Sequence, residues 1–427
     1  MLQVFSASWA LFLGMMLLQV GNGVQGTLLG IRGGLEGFST FQMSLVMSAY
    51  FLGFLGGSLI APRLIRRVGH LRVFAALGSL ISAVLILYPA IANAWVWVGL
   101  RLAIGFCFSG VYVTAESWLN NDASNETRGQ ALSLYVIVQL LGIVAAQGLL
   151  LLGDPSGFIL FVVPSVLVSV AFAPILLSVS PTPAFDSGRR MGFGELYRAS
   201  PLGFVGMFLL GGAFSALFGM ASVFGSEAGL SVREISAFVS AIFIGGLVWQ
   251  FPIGWISDRM DRRVLILIAT GLGAVAALLP VIWSGSQAAL LLAAFLVGGM
   301  TNPLYALLVA HANDYLAPED MAAASSGLVF VNGLGAIAGP LITGRVMGAL
   351  GPNGFFVYIA LVLLALLAYG GWRSTRRATP DLDEQAAFVA VSPAASPVAM
   401  DMAQEIYAEA AEAAQDEAEQ QHRAQDS

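Results

Sequence analysis

The chain has 427 residues, of which 58% are hydrophobic and only 10% are charged. A soluble domain has about 25% charged residues, so this composition excludes the soluble globular class and indicates a protein with many membrane-spanning helices. The net charge of −6 is unevenly distributed, because residues 378–427 hold eleven of the 25 acids and one arginine, whereas the preceding body has 18 arginines against 14 acids.

Twelve apolar segments, each long enough to cross a bilayer as a helix, follow one another to about residue 376. The first six are predicted at about 5–30, 39–61, 72–92, 95–118, 130–153 and 157–180. The second six are predicted at about 201–226, 234–257, 264–284, 287–311, 324–348 and 354–374. We therefore predict an all-α polytopic membrane protein with an N-terminal six-helix bundle at 1–180, a cytoplasmic central linker at 181–200 and a C-terminal six-helix bundle at 201–376.

Arginine residues are concentrated in the loops that would lie on one side of the bilayer. Positive residues of multi-pass proteins stay in the cytoplasm, so both termini are expected there, which requires an even number of helices. The arginines of this side are Arg63, Arg66, Arg67, Arg72, Arg128, Arg189, Arg190, Arg198, Arg259, Arg262, Arg263, Arg373, Arg376 and Arg377.

The tail at residues 377–427 has a different composition from the helices before it. It is Pro/Ser/Ala-rich at first and then rich in Ala, Glu and Gln. Such acidic, weakly apolar segments cannot bury enough surface to fold alone. We expect a disordered, partly helical cytoplasmic tail without a discrete role, and the alternative is a tail that binds a partner.

Two charged loops, one in each half, have similar sequences. Gly254 ends an apolar segment and is followed by Asp258 and a cluster of arginines. Gly57, 197 residues earlier, is followed by Arg63 and Arg66 in the same way. A repeat of this length is too long for a solenoid and fits a transporter whose two halves are parallel repeats.

The second loop resembles the loop motif of the major facilitator superfamily (MFS), with Gly254, Asp258, Arg259, Arg262 and Arg263 at the motif positions. The first-half copy departs from the motif, because Ala61 stands where the acid would be. Arg101 with Gly105 loosely fits a second motif of the family. The sequence Ala115-Glu116-Ser117 resembles the end of the fourth helix in a sparsely characterised bacterial branch of the family. The resemblance implies two pseudo-symmetric six-helix bundles, alternating access and the bacterial inner (plasma) membrane.

The charged loop residues are candidates for a cytoplasmic gate, since alternating access needs the two halves to rock about a central site. Asp258 is expected to cap the following helix and to attract a cation of the other half, and Glu116 is expected to pair with Arg128. The alternative interpretation is that the arginines only determine topology. The candidate gate residues are Arg63, Arg66, Glu116, Arg128, Gly254, Asp258, Arg259, Arg262 and Arg263.

Polar side chains inside apolar helices are costly and usually face a cavity or another helix. Gln19, Asn22 and Gln25 are spaced i, i+3, i+6 and share one helical face. A central cavity and simple interhelical hydrogen bonds are both compatible with each amide. Arg101 is expected either to bind an anionic group or help proton coupling, or to extend to the interface. The candidate cavity residues are Gln19, Asn22, Gln25, Arg101, Gln139, Trp249, Asn302, Tyr305 and Asn332.

The sequence predicts a secondary active transporter that moves a small organic solute by alternating access with a proton gradient. No acid lies in the middle of a predicted helix. Members of the resembled family that exchange cations for protons usually have one, so the resemblance favours neutral or anionic solutes, or uniport. The alternative is a non-transporting sensor or assembly protein that acts through its tail. Three histidines and the single Cys107 do not form a catalytic or metal cluster, and no phosphate-binding GxxxxGK[ST] run occurs. We expect a monomer in the lipid bilayer without enzymatic activity, cofactor, metal or nucleic-acid partner.

Overall fold

The computed structural model describes residues 2–177, 191–376 and 388–409, and within these ranges the chain is helical and contains no strand. Residues 181–190 of the predicted linker, with Arg189 and Arg190, lie outside the described residues. The same holds for residues 377–387, with Arg377, and residues 410–427 of the predicted tail.

Six helices form the first half. They are α1 (Leu2–Leu35), α2 (Thr40–Val68), α3 (His70–Ala90), α4 (Ala94–Asp122), α5 (Asn125–Leu150) and α6 (Ile159–Leu177). The second half has α7 (Phe193–Ala199), α8 (Pro201–Ser215), α9 (Ala221–Glu227), α10 (Val232–Ser257), α11 (Arg262–Ile282), α12 (Gln287–Asn313), α13 (Pro318–Leu350) and α14 (Gly354–Ser374). A final helix, α15, covers residues 397–409.

The described helices provide twelve membrane crossings, as the sequence predicts. A π-helical turn at Ala216–Met220 joins α8 and α9 into one crossing. With that crossing included, eleven helical segments are long and apolar enough to span a bilayer. The remaining crossing is α1, a helix of 34 residues that packs against α5 and α6. The short α7 lies in the linker before α8.

Several helices begin before the apolar segment that predicts them. The start of α5 is at Asn125 instead of about residue 130, because Ser124 and Thr127 form a capping box ahead of the apolar run. In α13 the helix begins at Pro318, a residue type with a backbone suited to the first helical turn. Capping chemistry, and not the end of the apolar run, therefore sets these boundaries.

Glycines allow the same close helix contact in each half. A Cβ atom at Gly53 of α2 or at Gly105 of α4 would overlap backbone atoms of the other helix. A Cβ at Gly245 of α10 or at Gly298 of α12 would do the same, about 192 residues later in the chain. The second and fourth crossings of each half thus pack alike, as a duplicated six-helix unit would.

The halves meet closely at one end of the bundle, which we call the opposite end. There α1 packs against α9, where a Cβ at Gly30 would overlap Ser222. Nearby α2 packs against α13, where Ser44 is fully buried against Gly344. The other end, which we call the arginine-rich end, carries the loops α2–α3, α4–α5 and α10–α11.

Residues 388–409, the tail segment, lie between the two halves at the arginine-rich end. The sequence predicts a disordered, partly helical tail, and the tail residues that the structure describes form an extended stretch followed by α15. The physical reason is a set of apolar side chains, among them Met400, Met402 and Tyr407, that are fully buried against the body. Burial of such side chains stabilises an ordered arrangement that the acidic composition alone does not suggest.

Candidate functional site

A central cavity of about 60 Å³ lies between the two halves. Sites for small molecules combine apolar walls with a few polar groups. Six helices of the bundle contribute polar side chains to its wall, namely Gln19, Asn22, Tyr50, Ser58, Tyr112, Gln139, Asn302 and Asn332. Aromatic side chains form much of the remainder, namely Phe51, Phe54, Phe214, Phe218 and Phe243.

A hydrogen-bond network joins three helices of the first half at the cavity wall. The Tyr112 hydroxyl donates to Gln19 Oε1 at 2.8 Å and accepts from Asn22 Nδ2 at 3.3 Å. Asn22 Nδ2 also donates to the Tyr50 hydroxyl at 3.2 Å. These contacts fix the orientation of the amides of α1, because each tyrosine is held on a different helix, α2 or α4.

The second half presents its own amides to the same cavity. Asn302 donates to Gln250 Oε1 at 3.2 Å, which links α12 to α10. Asn332 of α13 donates to the backbone carbonyl of Pro393 in the tail segment at 3.3 Å. The buried acceptors Asn22 Oδ1 and Asn332 Oδ1 have no hydrogen-bond partner among the described residues. A solute with hydroxyl or amino donors could satisfy both acceptors.

Arg101 is fully buried inside α4 and does not extend to the interface. Its Nη1 donates to Gln25 Oε1 at 2.9 Å, and its guanidinium carbon lies 4.6 Å from the centre of the Tyr50 ring. No carboxylate pairs with it among the described residues, and Glu36 pairs instead with Arg32 at 2.6 Å. The cation is therefore held by an amide and an aromatic ring, directly behind a cavity-lining tyrosine.

The structure brings five of the nine candidate cavity residues to the cavity wall, namely Gln19, Asn22, Gln139, Asn302 and Asn332. Gln25 and Arg101 form a pair behind that wall. Trp249 packs on Gly299, so its ring belongs to the contact between α10 and α12. Tyr305 is fully buried in α12 and does not line the cavity.

The candidate gate residues contact their own half or the tail segment. Asp258 accepts a hydrogen bond from the backbone N–H of Phe388 at 2.7 Å, and not from a cation of the first half. Glu116 accepts from the Tyr135 hydroxyl at 3.0 Å and from the Ser396 hydroxyl, so the expected pair with Arg128 is replaced. Arg63 and Arg66 have exposed side chains.

The arginines around the α10–α11 loop act within the second half. Arg259 stacks on the ring of Trp255, with its guanidinium carbon 4.2 Å from the ring centre. Arg262 forms a buried ion pair with Asp314, at the end of α12. The Arg262–Asp314 pair thus joins the start of α11 to the end of α12.

The cap of α11 is Asp261 and not the predicted Asp258. Helix α11 begins at Arg262, so the residue before it takes the N-cap position, and the Asp261 carboxylate accepts from the Arg263 N–H at 2.8 Å. Asp258 instead follows the last residue of α10. This position leaves its carboxylate accessible to the tail segment.

Sequence and structure comparisons agree with this architecture. A family model described as Major Facilitator Superfamily matches residues 11–232 and 203–402. The chain belongs to the Major Facilitator Superfamily. An uncharacterized MFS-type transporter of Yersinia enterocolitica is 30% identical over 367 residues, which cover 84% of this chain and 93% of that protein. The protein is thus a multi-pass membrane protein of a transporter family.

Solved structures of two other MFS members share the fold. The nucleoside transporter NupG aligns with a TM-score of 0.71 and 14% identity, covering 87% of this chain and 100% of that chain. The fucose:proton symporter FucP of E. coli aligns with a TM-score of 0.56 and 14% identity, covering 87% and 99%. These likenesses show the twelve-helix fold of the family.

Sequence reasoning missed two tyrosines that organise the MFS cavity, Tyr50 and Tyr112. Each is the only tyrosine of its apolar helix, which is the signal that could have identified it. The rings of Phe214 and Phe218 also line the cavity. No group of three or more His, Cys, Asp or Glu that could hold a metal occurs among the described residues.

Proposed function

We propose that this MFS member is a secondary active transporter that moves a small polar organic solute through the central cavity by alternating access. The observation that carries the proposal is a cavity between the two halves whose wall combines hydrogen-bonded amides with phenylalanine rings. Solute sites of transporters built from two repeats lie at the interface of the repeats. The proposed coupling ion is the proton.

The chemistry of the wall favours a neutral solute with several hydroxyl or amino groups and an apolar or ring face. Asn22 Oδ1 and Asn332 Oδ1 supply free acceptors from opposite halves, and the rings of Phe214 and Phe218 supply a flat apolar surface. NupG is titled a nucleoside transporter and FucP a fucose:proton symporter. Nucleosides and monosaccharides are therefore suitable first probes for this chain.

We propose that the arginine-rich end faces the cytoplasm and that both termini lie there. The loops of this end carry most of the arginines of the body, and positive residues stay on the cytoplasmic side. The opposite end, where α1 packs on α9, would then face outward. Because the two halves are closely packed at that end, the structure corresponds to an inward-facing arrangement in this proposal.

Arg101 is proposed to support binding or proton coupling from behind the wall. Its guanidinium lies over the Tyr50 ring, and Tyr50 accepts from the cavity residue Asn22. A change in charge near Arg101 would therefore be transmitted to the solute site through one ring and one hydrogen bond. An Arg101→Gln variant is expected to lose gradient-driven uptake while retaining solute-induced stabilisation.

The test uses two glutamines of α5 that lie two turns apart. Gln139 lines the cavity, whereas Gln147 donates to the carbonyl of Ile143 in its own helix and does not line it. Purified protein is screened for thermal stabilisation by nucleosides, monosaccharides and organic anions, and hits are followed by flux into proteoliposomes with and without a proton gradient. Gln139→Ala is expected to weaken stabilisation and flux, and Gln147→Ala is expected to retain both.

Equal losses in the two variants would contradict the proposed site. If flux of a stabilising solute does not change with the proton gradient, proton coupling is contradicted. Transport would then be facilitated diffusion through the same cavity. Stabilisation by organic cations alone would contradict the proposed solute class, because the wall offers acceptors and rings but no described carboxylate.

A further inference from the structure

Near the arginine-rich end, the tail segment contacts two charged side chains of the first half, Glu116 and Arg128. The Glu116 carboxylate accepts from the Ser396 hydroxyl and, at 3.3 Å, from the Ala399 N–H. Arg128 Nη1 lies 3.2 Å from a Glu405 oxygen and 3.3 Å from a Glu409 oxygen. The two glutamates are spaced i, i+4, so both belong to the face of α15 that is turned to α5.

The same segment contacts the second half. The Phe388 N–H donates to Asp258, and the Phe388 ring lies against Gly254, where an added Cβ would be 2.7 Å from a ring carbon. On α13 the Ser325 hydroxyl donates to Asp401, which is part of α15. The tail segment is therefore bound to both halves at once.

Between these contacts the tail segment forms part of the cavity wall. Residues 392–395 line the cavity directly, and the Pro393 carbonyl accepts from Asn332. Behind them Met400 and Met402 are fully buried. The segment thus lies across the cavity on the side of the arginine-rich end, where an inward-facing transporter would release or take up its solute.

We propose that residues 388–409 are an autoinhibitory segment, which closes the cavity at the arginine-rich end and holds the two halves in the arrangement seen here. The proposal rests on the proposed function, since it assumes that solute passes through this cavity. An outward-facing arrangement requires the arginine-rich ends of the halves to approach one another. The tail segment occupies the space between them and must leave first.

The bound groups explain why docking and gate closure exclude one another. Asp258 and Glu116, the acids expected to hold a closed cytoplasmic gate, each accept from the tail segment instead. Arg128 is likewise engaged by tail glutamates. Release of the tail segment would return these three side chains to partners in the body. The tail segment and the closed gate compete for the same three side chains, so only one of the two can be formed at a time. This competition makes the pair a conformational switch.

The experiment uses the full-length chain with Cys107 replaced by serine and one reporter cysteine. Ser58→Cys reports on the cavity, because Ser58 lines it and its hydroxyl bonds only within its own helix. Ser44→Cys reports on the opposite end, where Ser44 is fully buried between α2 and α13. Docking is disrupted by the double substitution Met400→Asp with Met402→Asp, and Met400→Leu with Met402→Leu is the matched control, which keeps volume and apolarity.

Membrane-impermeant maleimide is applied to the arginine-rich side for Ser58→Cys and to the opposite side for Ser44→Cys. With the aspartate pair we expect both rates to be roughly tenfold higher than with the leucine pair, because release of the tail segment shifts the populations of the two conformers. An exposed reporter, Asn121→Cys, is expected to react equally in both backgrounds.

Equal rates at Ser58→Cys would show that the tail segment does not close the cavity and would overturn the proposal. A higher rate at Ser58→Cys with an equal rate at Ser44→Cys would overturn the claim that it holds the two halves in this arrangement. Neither reporter needs a known solute. A failure of the solute proposal would instead appear as absent stabilisation and flux in every variant, including the aspartate pair.

Discussion

Gly30 of α1 lies at the contact that closes the opposite end of the bundle, and it offers a direct way to shift the two halves. A Cβ at Gly30 would overlap the Ser222 side chain of α9 and lie 2.9 Å from the Ser222 backbone carbon. Because backbone cannot rotate away as a side-chain tip can, Gly30→Ala must force α1 and α9 apart. We expect the variant to favour the outward-facing arrangement.

The expected shift in the conformational equilibrium depends on which kind of atom the added Cβ would contact. Overpacking by a single carbon costs about 1–3 kcal/mol, and applied to one conformer only, this shifts the equilibrium by roughly 5–150-fold. Gly34, one turn later, would meet chiefly the Ser226 hydroxyl, so Gly34→Ala is expected to have a smaller effect. Gly99 of α4 has no atom within 4 Å of its added Cβ, so Gly99→Ala is the control.

The assay is the labelling rate of Ser44→Cys from the opposite side, in a background with Cys107→Ser. Ser44 is fully buried while α2 packs on α13, and it becomes accessible only when this end opens. The expected order of rates is Gly30→Ala, then Gly34→Ala, then Gly99→Ala, with Gly99→Ala equal to the unmodified reporter. A Gly30→Ala rate equal to that of Gly99→Ala would refute the assignment of this contact as the outer closure.

Three further predictions concern the network, the α11–α12 pair and the tail segment. Tyr112→Phe removes two hydrogen bonds of the cavity network at about 0.6 kcal/mol each, so thermal unfolding is expected a few degrees lower and solute-induced stabilisation weaker. Asp314→Asn leaves the cation of Arg262, which is 1% exposed, without its buried partner, so a loss of about 3–5 kcal/mol in stability is expected by thermal unfolding. Burial raises the pKa of Asp401 in the docked segment to about 7, against about 4 when the segment is released. Docking is therefore expected to tighten roughly tenfold from about pH 8 to about pH 6. The measurement is slower labelling of Ser58→Cys at the lower pH.

Each of these predictions has a control. Glu36→Gln breaks a partly exposed pair with Arg32 and is expected to cost less than about 1 kcal/mol. An equal loss in Asp314→Asn would contradict the importance of burial. Solute-induced stabilisation that is unchanged in Tyr112→Phe would separate the network from the solute site.

The pH prediction has a defined sign, because a carboxyl whose pKa is raised by docking binds its proton more tightly in the docked state. Docking is therefore strongest at low pH and weakens as the pH rises through about 7. Glu405 on the same helix raises the pKa of Asp401 further, and the Ser325 hydroxyl on α13 lowers it. Asp401→Asn should abolish this part of the slope, measured relative to Asn121→Cys at each pH. A slope retained in Asp401→Asn would assign it to another group, such as Glu116.

The sequence allowed the helix number and part of the cavity to be predicted, because both depend on local patterns. Apolar length determines a crossing, and the spacing of Gln19 and Asn22 puts both on the face of α1 that lines the cavity. The same spacing brings Gln25 one turn further along that face, where it meets Arg101 and not the cavity. Trp249 could not be assigned from spacing, since its contact with Gly299 depends on the packing angle of two helices.

The tail segment shows where composition is a poor guide. Met400, Ala403 and Tyr407 are spaced i, i+3, i+7 and form one buried face of α15, a pattern that the alanine and glutamate content conceals. The contacts that hold it join residues far apart in the chain, such as Glu116 with Ser396. No local pattern encodes such pairs, so the sequence offered candidate gate residues but not the partners that the structure gives them.

Alternating access is the central claim, and the most direct measurement asks whether one cavity position can be reached from each side of the membrane in turn. Asn22→Cys, at the cavity wall of α1, is labelled with membrane-impermeant maleimide from either side in a Cys107→Ser background. With the Met400→Asp and Met402→Asp tail, we predict fast labelling from the arginine-rich side. With Gly30→Ala added to that tail, we predict increased labelling from the opposite side and decreased labelling from the arginine-rich side. Labelling from one side only in all variants would contradict the account.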